Sequence, residues 1–212
     1  MTSSADAPRV IGLIGGMGSG KSLVAEMFAQ RGAKVISGDQ LGHQALAQPE
    51  IKTEVVERWG PGVLDVQGEV DRRRLGAIVF ADAAERRALE ALVFPWIERR
   101  LQEELASAVT NPQVALIVLD AAIMLETGWN KLCDWLVYID APREARLRRL
   151  LEQRGWSTRE VEAREGAQLS LLEKKKRADF VLDNSGLPEQ VAQQVEELLK
   201  HWATVAPISE AT

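Results

Sequence analysis

The 212-residue chain reads as an α/β protein built on a doubly wound, five-stranded parallel sheet, and three observations predict it. Five short apolar runs, "RVIGLI", "AKVIS", "QVALIVLDA", "WLVYID" and "DFVLDN", are rich in β-branched residues, as strands buried on both faces are. Between them lie stretches with apolar residues at helical spacing, and alternation of this kind builds parallel sheets. The first run also leads directly into "GGMGSGKS", a bare turn that can join a strand to a helix.

Each element follows in order. The opening "MTSSADAPR" is polar and has no apolar core, so it is expected to be a frayed lead-in and not a signal peptide. After the first strand and the glycine turn, "LVAEMFAQRG" places Leu23, Val24, Met27 and Phe28 at helical spacing. The second strand, "AKVIS", runs into Asp39. A long insertion without a clear strand then reaches residue 108, helical around 51–59 and 83–108, with "GPGVLDVQGEV" as a turn-rich break. The third strand ends on Asp120. After the fourth, residues 141–177 are dense in arginine and lysine and look helical, apart from "RGWST", which supplies a turn and an N-cap. Following the fifth strand, Pro188 opens a helix with Val191, Val195, Leu198, Leu199 and Trp202 on one face.

Composition narrows the function. Apolar residues make up 46% and charged residues 27%, ordinary globular values, in a length suited to one domain. The net charge of −5 argues against broad nucleic-acid binding and leaves room for a local basic pocket. The lone Cys133 can form no internal disulfide, and no apolar run approaches the roughly 18 residues of a membrane span. A cytoplasmic protein is expected, acting on a small molecule and not on nucleic acid or membrane.

Gly15, Gly20, Lys21 and Ser22 fit G-x-x-x-x-G-K-[ST] between a strand and a helix. Glycines let amides converge on phosphate oxygens, the helix start adds positive potential, Lys21 reaches the β/γ-phosphates, and the Ser22 hydroxyl can ligate Mg²⁺. A flexible linker would not continue into an amphipathic helix. A GTP switch would want D-x-x-G and N-K-x-D; "DVQG" at Asp65 follows a Pro-Gly break and "NKLCD" at Asn130 has one residue too many, so both read as turn or helix-start residues. A small-molecule kinase needs instead an acceptor-side carboxylate, an acid that orients Mg²⁺, and mobile cations. Asp39, just past the second strand, is the candidate for the first, with N-capping of the next helix as its structural role. Asp120, ending "LIVLD", is the candidate for the second. Arg143, Arg146, Arg148, Arg149 and Arg154 exceed what one helix face requires; pairing with Glu144 and Glu152 accounts for most, leaving one or two for phosphate.

These motifs resemble those of the dephospho-CoA kinase family over residues 10 to about 197. "GLIGGMGSGKSLVAEMF" is similar to that family's P-loop and first helix, "GAKVISGDQLGH" to its second strand with the acceptor-side acid, and "RRRLGAIVFADAAERRALEALVFPWI" to its arginine-leucine stretch and a helix closing in a proline. "VLDAAIMLETGW" resembles its later strand and acid. "EGAQLSLLEKKKRADFVLDNSG" resembles its Q-x5-K, A-D and D-N-S-G ending, the last two being specific to the family among P-loop kinases.

The resemblance implies transfer of the ATP γ-phosphoryl group to the ribose 3′-hydroxyl of dephospho-CoA with Mg²⁺, giving CoA and ADP, the last step of coenzyme A biosynthesis; a P-loop kinase of another nucleotide or nucleoside is the alternative. It implies a single domain, 1–212, divided into a nucleotide-binding core (8–39, 109–140 and 178–206), a CoA subdomain (40–108) and a lid (141–177). Gly15, Gly18, Ser19, Gly20, Lys21, Ser22, Leu23 and the Asn184 region would meet the nucleotide, Asn184 near adenine. Ser22 and Asp120 would hold the metal. Lys21, Asp39 as base and Arg149 as the lid arginine nearest the transferred group would carry catalysis.

Four positions depart from the family. Leu23 stands where threonine is usual, losing a hydroxyl; Ser37 replaces the first acid of D-A-D; Phe94 replaces a histidine and Ala122 a proline. One extra residue also separates Arg149 from Arg154. His43 is a candidate CoA-phosphate contact or a surface residue. "KKKR" from Lys174 reads as a solvated face, although Lys174 matches the family lysine. The six tryptophans are expected to pack core and subdomain surfaces.

Overall fold

A computed structural model describes residues 7–204, which leaves most of the lead-in and the last two residues of the 178–206 core segment outside the described residues. Five strands form one all-parallel sheet: β1 (Arg9–Gly15), β2 (Lys34–Ser37), β3 (Leu116–Asp120), β4 (Trp135–Asp140) and β5 (Phe180–Asp183), in the order β2-β3-β1-β4-β5. Every strand coincides with an apolar run, within a residue at each end except that β3 begins three residues into its run. Register pairs Ser37 with Asp120 and Asp120 with Leu13, so β1, β2 and β3 finish side by side. The open edge of a doubly wound sheet lies there.

Alternation along β1 sends Ile11 and Leu13 to one face and Ile14 to the other. On the first face, helix α1 (Lys21–Ala29) and the last helix, α10 (Pro188–Thr204), cover the sheet through Val24, Phe28, Val191 and Val195, all fully buried. Phe28 stacks on Trp202 and Trp202 on Trp135, with centroids 6.0 and 5.3 Å apart. Burying such a side chain contributes about 1.5–3 kcal/mol. The periodicity expected for the last helix is therefore spent on core packing.

On the other face lie α2 (Gly38–Leu46), α3 (Pro49–Trp59), α4 (Arg72–Val79), α5 (Ala83–Val109) and the short α6 (Met124–Thr127). Asp71 and Asp82 cap α4 and α5, accepting from amides of the first turn. The turn-rich break is real, with Asp65 accepting from the amides of Gln67 and Glu69 as a turn residue does. Asn130 lies in a 3₁₀ turn. Helix α5 does not close at Pro95 but runs through it for 27 residues. Its apolar positions Val93, Ile97, Leu101 and Leu105 keep one face buried on both sides of the proline, and tertiary packing outweighs one lost backbone hydrogen bond. Residues 141–177 carry α7 (Arg143–Arg154), α8 (Thr158–Glu165) and α9 (Leu171–Lys176).

Candidate active site

The chain leaves β1 at Gly15 and re-enters regular structure at Lys21, and Gly20 makes the turn possible. It sits at φ 97, a left-handed conformation, and any Cβ there would collide with the Asn184 side-chain amide. No side chain caps α1. Its first N–H groups are consequently left for an anion, where the helix macrodipole also favours negative charge. Lys21 folds back across the loop, its Nζ donating to the carbonyls of Gly15 (3.2 Å) and Gly16 (3.1 Å). Ser22 Oγ donates to Asp120 at 3.0 Å. The two candidate Mg²⁺ ligands are thus in contact.

Burial dominates the electrostatics. It lowers the pKa of Lys21, against the opposing pull of Asp120, and raises that of Asp120, against Lys21 and the Ser22 hydrogen bond. Asp39 bears on both groups, so it belongs to the same field. Mg²⁺ is commonly held by one or two protein oxygens and completed by phosphate and water. The Ser22 hydroxyl and Asp120 carboxylate fit that requirement, and among the described residues no group of three or more His, Cys, Asp or Glu forms a protein-only cage.

Asp39 differs from expectation in one respect. Ser37, and not Asp39, caps α2: Ser37 has an extended backbone and its Oγ accepts from the Gln40 amide at 3.3 Å. Asp39 is already in the first helical turn, past the position where a side chain can cap. Its carboxylate is therefore not used in capping; it is 63% exposed and pairs with Arg154 Nη2 at 4.0 Å. The serine that replaces an acid in the D-A-D pattern has taken over the structural task.

On α7, Arg149 Nη1 donates to the carbonyls of Gly18 (3.3 Å) and Ser19 (3.4 Å), and its Nη2 to that of Asn184 (3.1 Å). It borders the phosphate loop, whereas Arg154 faces Asp39. Buried Asn184 donates its side-chain amide to the Ser19 carbonyl at 2.7 Å, bracing the loop from β5. The expected pairing along α7 is replaced by pairing with α8: Arg143 meets Glu162, and buried Arg146 meets Glu165 and the Met17 carbonyl. The loop is that close, since a Cβ on Gly16 would lie 2.7 Å from Arg146 Nη1. Leu23, 42% exposed, stands on the first turn of α1. His43 is exposed, with Arg72 Nη1 3.3 Å from its Nδ1.

Lys174 is the functional candidate that pattern reasoning undervalued. Of the lysines at 174–176 it alone is buried, and its Nζ reaches the Ala122 carbonyl (3.0 Å), Gln168 (2.9 Å) and Glu126 (3.0 Å). It thereby ties α9 to the turn after β3, just beyond Asp120. Three adjacent lysines do not reveal which points inward; only the Q-x5-K spacing singled it out. Trp156 is a second surprise, because it packs between guanidinium groups and not into a core.

An uncapped helix start beside a buried lysine, in the field of Asp120 and Asp39, is an arrangement suited to phosphate, and with the fold it marks a P-loop kinase. The family described as dephospho-CoA kinase matches residues 9–189. A dephospho-CoA kinase from Symbiobacterium thermophilum is 40% identical over 191 residues, covering 89% of this chain and 79% of that protein. One from Bacillus licheniformis is 38% identical over 198 residues, 92% of this chain and 98% of the relative. Among solved structures, a Thermus thermophilus protein superposes with a TM-score of 0.74 at 37% identity, over 92% of this chain and 98% of its own. A dephospho-CoA kinase from Campylobacter jejuni gives 0.65 at 25% identity, over 91% and 96%. The chain belongs to the dephospho-CoA kinase family and is an ATP-dependent phosphotransferase.

Proposed function

We propose that this chain transfers the γ-phosphoryl group of ATP to the ribose 3′-hydroxyl of dephospho-CoA, releasing ADP and CoA, and that Asp39 is the base. The observation that carries the residue assignment is the division of labour at the start of α2, where Ser37 caps and leaves the Asp39 carboxylate exposed and within the field of Lys21.

The 3′-hydroxyl attacks the γ-phosphorus, the bond from that phosphorus to the β–γ bridging oxygen breaks, and the hydroxyl proton passes to Asp39. Such a transition state is loose, so the protein's contribution is positioning and charge. The amides of 16–22 and Lys21 orient the β- and γ-phosphates, and Lys21 stabilises charge developing on the leaving oxygen. Ser22 and Asp120 would hold Mg²⁺, which would supply neutralisation of phosphate charge. Gly15, Gly18, Ser19 and Gly20 keep the loop open to phosphate, Asn184 braces it, and Leu23 presents an apolar edge where a hydroxyl would otherwise touch the nucleotide. Arg149 serves the loop side of the transferred group and Arg154 the acceptor side. Residues 40–108 receive the CoA moiety, with His43 on α2 beside the Arg72 guanidinium on α4, and 141–177 close over the nucleotide.

Among the described residues no helix is long and apolar enough to cross a membrane. We place the protein in the cytoplasm, acting on a small molecule without nucleic-acid partners. A coupled ADP-release assay offering dephospho-CoA, AMP, CMP or adenosine tests the substrate. Turnover with dephospho-CoA is expected, and turnover restricted to AMP, CMP or adenosine would overturn the reading.

A further inference from the structure

The turn between α7 and α8 is built to hold one side chain still. Helix α7 ends on Gly155 at φ 64, with the Gly155 amide donating to Leu151 (2.9 Å) and the Trp156 amide to Leu150 (3.3 Å). Helix α8 begins at Ser157, whose side chain and backbone form a capping box with Glu160. Trp156 is the single residue between these two stops. Its backbone is fixed from both sides.

Its ring lies among cations. The Arg154 guanidinium carbon stands 5.0 Å from one Trp156 ring centroid and that of Arg164 stands 4.1 Å from one, while Arg164 also lies 4.6 Å over Phe80, just past the end of α4. Arg164 Nη1 donates to the Glu160 carbonyl at 3.1 Å, and burial pulls its pKa down against the pull of Glu160. A continuous stack therefore runs from the CoA subdomain into the lid, Phe80 to Arg164 to Trp156 to Arg154, and Arg154 ends it at Asp39.

The ion pair alone cannot fix that end. Arg154 and Asp39 are 51% and 63% exposed and 4.0 Å apart, and an exposed pair at that distance contributes little while a long arginine has many rotamers to lose. The ring restricts those rotamers. We propose that Trp156 is a positioning residue for phosphoryl transfer, holding the Arg154 guanidinium against the acceptor side of the site and, through Arg164 and Phe80, tying that arginine to the substrate subdomain. Trp156 touches neither ATP nor acceptor in this arrangement. The inference rests on the reading of Arg154 as the acceptor-side cation.

The test is a double-mutant cycle on the full chain, with kcat, both KM values and melting temperature measured for each variant. Trp156→Leu keeps apolar bulk and removes the ring face, and it should lower kcat about three- to tenfold, the scale of a cation–π contact, with little change in either KM. Trp156→Phe should restore most of the loss. Phe80→Leu, which loosens the far end, should give a smaller drop in the same direction, and it reads the coupling even if Trp156→Leu folds poorly. In an Arg154→Ala background, which by itself lowers kcat, the Trp156 and Phe80 substitutions should cost nothing more. A Trp156→Leu deficit that persists undiminished without Arg154 would assign the ring to lid folding and overturn the proposal, as would a normal kcat in a folded Trp156→Leu protein. If Arg154→Ala retains full turnover, the prior reading of Arg154 fails, an outcome distinct from the other two.

Discussion

The glycine loop at 15–22 and the arginine-rich segment 141–177 lie against each other, and they are constructed in different ways. In the loop the functional groups are backbone amides and one buried lysine, locked by a left-handed glycine and by Asn184. In the lid they are arginines, held by carbonyls, carboxylates and ring faces, and Arg154 is half exposed. The loop is held by its own backbone, whereas an exposed arginine keeps rotamer freedom that fixing it in place would cost. Substitutions on the loop side should remove transition-state charge stabilisation outright, and those in the lid should reduce the fraction of time that the cations are in place.

The sharpest way to break this contrast is at Asp39, where the two regions meet. Asp39→Asn keeps size and removes basicity, so kcat should fall by roughly 10²–10⁴-fold, the usual range for a general base. Because Ser37 provides the cap, melting temperature should be unaffected. Retained phosphorylation of dephospho-CoA would remove Asp39 from the mechanism. A smaller effect is expected from Arg149→Ala, in comparison with Arg154→Ala. Arg149 contacts loop carbonyls, so its loss should act more on KM for ATP, and that of Arg154 more on kcat. The reverse pattern would exchange their assignments.

The smallest effect concerns stability, and its sign is informative. Folding raises the pKa of Asp120, so its ionised form opposes folding, and this cost is relieved as pH falls through the folded pKa. Asp120→Asn keeps an acceptor for Ser22 and removes the buried charge. The ligand-free variant should melt at the same temperature or higher, while its Mg²⁺-dependent turnover drops. A clear fall in melting temperature would mean that the Lys21 attraction outweighs burial. Calorimetry at two pH values checks both statements.

What was legible in the sequence follows the same division. The five strands, the glycine loop and the last helix could be read because backbone geometry and burial on two sheet faces demand particular residue types at fixed spacing. Asp39 and Asp120 could be placed because strand ends in this fold point to one edge. Ser37 as the cap was hidden by a one- or two-residue uncertainty at the start of a helix, the least readable quantity in a sequence. Arg143 and Arg146 pair with the next helix, and Lys174 turns inward where its two neighbours do not. Those choices are made by packing between elements far apart in the chain, and local pattern holds no record of them.

Helix α5 has one further consequence. Val93 and Ile97, ahead of and behind its proline, and Leu101 and Leu105 further on belong to the same buried cluster as Ile36 and Leu119 of the sheet and Val55 and Leu75 of the smaller helices. Residues 40–108 accordingly possess no hydrophobic centre of their own that could persist after the sheet is lost. Heated without ligand, the molecule should absorb its heat in a single peak, with calorimetric and van't Hoff enthalpies in agreement, and the helices of 40–108 should melt with the strands.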